Sequence, residues 1–177
     1  MRNKIKELNR AKRVIKKFCI INKIPIVIIR IKNDLDGLGC YPNGSRNIYI
    51  NLELTTITSS RNNPAMIREN TITGTIIHEF AHYIHITTRR RILNNHFKKL
   101  KEPLINYWET DVEEDIAESI RLFILNPFLL KEGRPKRYNI LSRYFEPIKN
   151  VKHYSELFKG LNRQKRRAVN MWIKGVI

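Results

Sequence analysis

Cysteine, acidic residues and long apolar runs are scarce in this chain, and each scarcity excludes something. Two cysteines, Cys19 and Cys40, are too few for a disulfide framework and are not spaced as a metal-binding pair. A bridged secreted scaffold is excluded, and a reducing compartment is expected. No apolar run approaches the ~20 residues of a transmembrane helix. The start of the chain is charged, and the apolar run at 18–21 is too short for a signal peptide. A cytoplasmic protein with no membrane partner is the expectation. Asp and Glu number 16 against 34 Lys and Arg, a net charge of +18. Such an imbalance favours anionic partners, nucleic acid among them. AT-rich coding sequence would give the same wealth of Ile, Asn and Lys without any partner.

What is present reads as a folded protein. The chain has 177 residues, 42% of them hydrophobic, enough for one domain with its own core. No repeat or linker divides it, so 1–177 is expected to be a single domain with a basic helix at each end. Ile5, Leu8, Val14, Ile15 and Phe18 predict an amphipathic helix over 2–18. The β-branched run 26–31 after Pro25 predicts a strand, and Asp36-Gly37 and Pro42-Asn43-Gly44 mark turns. Alternation over 47–54, with Ile48, Ile50, Leu52 and Leu54 on one face, predicts a half-buried strand. Pro64 is expected to open a helix running through His85. The basic stretch 87–101 reads as either a loop or a short exposed helix. Thr110 and Glu113 fit a capping box for a helix reaching about Asn126, which Pro127 stops. Helical spacing returns at Tyr138, Leu141, Tyr144 and Phe145, and a basic amphipathic helix is expected from Ser155. The fold class is α+β, a small sheet ahead of several helices.

Residues 76–85 carry the chemistry. They contain His78-Glu79-Phe80-Ala81-His82, an H-E-x-x-H motif. At about 100° per residue, His78 and His82 share one helix face, where two imidazoles can hold one zinc ion. Glu79 lies beside them, placed to take a proton from a water that the ion activates. Ile72, Ile76, Ile77, Phe80, Ala81 and Ile84 make the rest of the helix apolar, hence buried, and buried polar groups need partners. The plainer alternative is an amphipathic helix with hydrogen-bonded histidines.

A catalytic zinc site needs a third protein ligand. The metzincin pattern is excluded, because His85 and Thr88 stand where it needs Gly and His. His96, fourteen residues after His82, stands at roughly the spacing seen in SprT-like DNA-associated proteases, but Phe97 follows it where they usually carry Gly. Glu114 lies on the second helix. The segment Glu114-Asp115-Ile116-Ala117-Glu118 resembles the E-x-x-A-E ligand segment of gluzincins of the anthrax lethal factor type. Glu114, Ala117, Leu125, Asn126 and Pro127 are also similar to the pattern of ImmA/IrrE-type peptidases of mobile elements. The resemblance covers roughly 47–145. It implies a zincin-like fold and one zinc on His78, His82 and Glu114, with a second glutamate four residues on at Glu118, which on physical grounds can hydrogen-bond a ligand histidine and fix its tautomer. It further implies Glu79 as general base, Tyr107 over the zinc as oxyanion donor, and hydrolysis of a protein or peptide substrate. Two other readings remain. One is a SprT-like protease acting on nucleic-acid-bound proteins, with His96 as third ligand. The other is a non-catalytic binding protein that keeps the zinc fold, which would have no use for Glu79.

Overall fold

The computed structural model describes residues 2–55, 72–100 and 111–149, together with Arg167. Pro64, Tyr107 and, Arg167 apart, the tail from Ser155 lie outside them, so the expectations placed there stay expectations.

The described residues form an α+β arrangement of six α-helices and a three-stranded sheet. Helix α1 (Arg2–Asn22) comes first. It runs past the expected end at residue 18 and stops in a turn that needs a left-handed residue, Lys23 at φ 54°. There the Ile24 N–H donates to the Cys19 carbonyl at 2.9 Å and the Lys23 N–H to the Ile20 carbonyl at 3.4 Å. These are the two bonds of a Schellman cap, and Pro25 then prevents continuation. Strand β1 (Ile28–Ile31) pairs in parallel with β3 (Asn47–Ile50). The short β2 (Gly39–Cys40) pairs antiparallel with the other edge of β3, giving the order β1-β3-β2.

Strand β3 is shorter than the alternation predicts. Ile48 and Ile50 are buried as expected, but Leu54 is exposed. Asn51 is the cause. Its side-chain oxygen accepts from the Glu53 and Leu54 N–H groups at 2.9 and 3.1 Å. An Asx turn of this kind competes with the strand for the backbone and wins.

Helix α2 (Ile72–Ile84) crosses the core. One side packs on α1, where Phe18 meets Phe80 edge-on with ring centres 6.2 Å apart. The other side meets α4 (Val112–Leu125). A π-helical turn (His85–Arg89) and then α3 (Arg90–Phe97) follow α2, so the undecided basic stretch is helical from 87 to 97. Asp111, not Thr110, is the N-cap of α4; its carboxylate accepts from the Glu113 N–H at 2.7 Å. Pro127 does end α4, and it also opens α5 (Pro127–Gly133), where its missing N–H costs nothing. Helix α6 (Pro135–Ser142) follows and stops before Tyr144 and Phe145, which the helical spacing had included. No described helix is long and apolar enough to cross a membrane.

Candidate metal centre

Two neighbouring helices build the centre. Helix α2 supplies His78 and His82 from successive turns, and their rings stand 4.8 Å apart between centres. Helix α4 supplies Glu114 from its first turn and Glu118 from the next. Its N-terminal end carries partial positive charge, which favours a carboxylate there. A buried ion pair holds this turn in place: Arg137 of α6 donates to Asp115 at 2.6 Å and to Ser119 Oγ at 3.0 Å.

The geometry fits an ion. His78 Nε2 and His82 Nε2 are 3.1 Å apart. Glu114 spans them, with Oε2 3.2 Å from His78 Nε2 and Oε1 3.2 Å from His82 Nε2. Two ligands about 2.0–2.1 Å from a tetrahedral zinc lie about 3.3 Å apart, so the donors already stand at ligand-to-ligand spacing. Among the described residues, His78, His82 and Glu114 are the group able to hold a metal. The Glu114 side chain is 41% exposed, so this side of the group is open to solvent.

Hydrogen bonding behind the triad sets its protons. His78 Nδ1 lies 2.7 Å from Glu118 Oε1. The other Glu118 oxygen accepts from Arg121 Nε at 2.9 Å and Nη2 at 2.6 Å. With Arg121 holding Glu118 as an acceptor, the proton of the His78–Glu118 contact sits on Nδ1. The lone pair of a neutral His78 is then on Nε2, aimed at His82 and Glu114. Three such donors repel one another unless a proton or a cation lies among them.

Burial disfavours charge on His78, but the carboxylates of Glu114 and Glu118 outweigh it and the pKa is pushed up to about 10. Hydrogen bonds from the two imidazoles hold Glu114 well below the ordinary carboxylate range. Burial also opposes the charge of Glu118, yet Arg121 and His78 keep it low. Glu79 moves the other way. Burial raises it, more than the nearby histidines lower it. Two kinds of carboxylate thus share one centre: low ones that can only accept, and a raised one able to take and return a proton.

The sequence-predicted residues divide cleanly. His78, Glu79, His82, Glu114 and Glu118 are brought together. His96 is placed elsewhere, with Nε2 3.1 Å from Tyr144 Oη. Tyr107 is outside the described residues. Arg121 was not foreseen, although a lone arginine between Ile120 and Leu122 and three residues after Glu118 is a signal. Gly39 and Tyr41 were not foreseen either. The Tyr41 backbone N–H bonds Glu79. A Cβ on Gly39 would sit 2.9 Å from Glu79 Cγ and 3.1 Å from its Oε1. Only a glycine lets β2 pass this close to the carboxylate. No protein-family model, curated protein or solved structure matches this chain.

Proposed function

We propose that this chain is a cytoplasmic, zinc-dependent endopeptidase of zincin-like fold, acting on a protein or peptide substrate. The observation that carries the reading is the convergence of His78, His82 and Glu114 at zinc-ligand spacing, with the half-buried carboxylate of Glu79, its pKa raised, beside them. His78, His82 and Glu114 would hold one ion. Bound there, zinc supplies Lewis-acid chemistry, polarising the scissile carbonyl and making water more acidic. Glu79 takes the proton of the attacking water and returns it to the leaving amine. Glu118, backed by Arg121, keeps His78 in the tautomer that ligates. Tyr107 is proposed to donate to the developing oxyanion. Strand β2 is the sheet edge beside Glu79, and an extended substrate segment can add to it by backbone pairing.

The test is metal dependence. Purified protein should carry about one zinc per chain and cleave casein or a peptide library. A chelator should abolish cleavage, and zinc should restore it. Iron in place of zinc, or cleavage that survives chelation, would refute the reading, since His-His-carboxylate sets also hold iron.

Gly39 gives a second prediction. In Gly39→Ala the new methyl forces Glu79 or β2 to shift. Turnover should fall by roughly ten- to a hundredfold, as for a catalytic group misplaced by about 1 Å. Zinc content should be unchanged, because Glu79 is no ligand. Normal turnover in a folded Gly39→Ala protein would show that β2 does not position the base.

A further inference from the structure

The two faces of α1 have different fates. Leu8, Ala11, Ile15, Phe18 and Cys19 are buried in the core. On the exposed side, Lys6, Arg10, Lys12, Arg13, Lys16 and Lys17 are cationic and no residue is acidic. The helix has one carboxylate, Glu7, and it is turned to Thr73 Oγ1 at 2.6 Å. Three like-charge pairs, Lys6 with Arg10, Lys12 with Lys16 and Arg13 with Lys17, stand four residues apart, where like charges destabilise a helix. Among the described residues, no ion pair takes up the charge of Lys6, Lys12, Arg13 or Lys16. A solvated face usually mixes signs; this one keeps a single sign from Lys6 to Lys17, about 16 Å of helix axis.

We propose that the outer face of α1 docks the phosphate backbone of duplex nucleic acid. An extended line of cations suits a polymer that presents a charge every ~1.7 Å of its axis. A membrane surface suits it less, because an interfacial helix needs a continuous apolar face, whereas Leu8, Ala11, Ile15, Phe18 and Cys19 are committed to the core and the exposed Ile5 and Ile20 stand at opposite ends of the cationic stripe. The contacts are to phosphate, so binding is independent of base sequence. Docking is also separate from the metal centre. Thr73 and Phe80, which touch Glu7 and Phe18 of α1, are turned about 140–160° away from His78 around the helix. Nucleic acid therefore lies behind the centre and leaves its open side free.

The test uses the full chain and a 20-base-pair duplex of arbitrary sequence, titrated between about 50 and 200 mM salt. One variant carries Lys6→Gln, Lys12→Gln, Arg13→Gln and Lys16→Gln. A comparator carries Lys98→Gln, Lys99→Gln, Lys136→Gln and Arg143→Gln. Each has net charge +14, from 18 − 4. Glutamine keeps helix propensity, and all eight side chains are exposed. The α1 variant should flatten the slope of log affinity against log salt by about 3–4 and bind at least about tenfold more weakly at 100 mM. The comparator should stay within about threefold of wild type. On the unaltered protein, duplex should shield Lys6, Lys12 and Lys16 from acetylation while Lys98 and Lys99 stay reactive. Three results would overturn the proposal: no duplex binding at about 50 mM salt, equal losses in both variants, or binding to anionic lipid vesicles without binding to duplex.

Discussion

Glu114→Ala should weaken zinc binding by more than about a hundredfold, whereas His96→Ala should leave it within about twofold of wild type. Loss of a residue that merely supports a ligand costs about ten- to a hundredfold, and loss of a ligand should cost more. Glu114 holds both imidazoles at 3.2 Å. It stands on a helix whose start is capped by Asp111 and whose first turn is pinned by Arg137 to Asp115. A carboxylate held this way cannot be replaced by a neighbour swinging in. His96 is engaged with Tyr144 instead. Zinc dissociation constants of the two variants decide between the readings. Retention of zinc in Glu114→Ala with its loss in His96→Ala would overturn the gluzincin-like assignment and favour the SprT-like one.

Glu79→Gln should lower turnover by roughly a hundred- to ten-thousandfold, the usual worth of a general base. Zinc content should not change. The substitution keeps size and hydrogen-bonding reach, so Gly39 and the Tyr41 N–H still find a side chain of the same shape. What it removes is the ability to take a proton. Turnover within a few-fold of wild type would remove Glu79 from the mechanism. Zinc loss in a folded variant would make it a ligand rather than a base. Measuring metal content and rate on the same preparation separates the two.

Much of this centre was legible because it is local. His78 and His82 lie one turn apart on any helix, and the apolar residues around them already said that the helix is buried. Glu114 and Glu118 became candidates through the resemblance of their segment, and the helix carrying them is near its expected bounds. The α+β class followed from β-branched runs ahead of helical periodicity. Where the reading went wrong, a local competitor had been given too little weight. Asn51 captured the backbone of the predicted second half of β3. Asp111 capped α4 one residue later than the site assigned to Thr110.

By itself, then, the sequence determined the residue types of the centre and the helices that carry them, since periods of two and 3.6 residues are properties of short stretches. Tertiary structure alone decided the rest, because contacts across forty residues leave no periodic trace. It brought Glu114 of α4 to 3.2 Å from both histidines of α2, and placed His96 against Tyr144 instead. It put the backbone of Gly39 and Tyr41 against Glu79, a contact that neither residue type announces. It also turned the apolar side of α1 inward, which left six cations together on one outer face. Charge was in the composition, but its segregation to one surface came from packing, since burying one side of a helix commits the other to solvent.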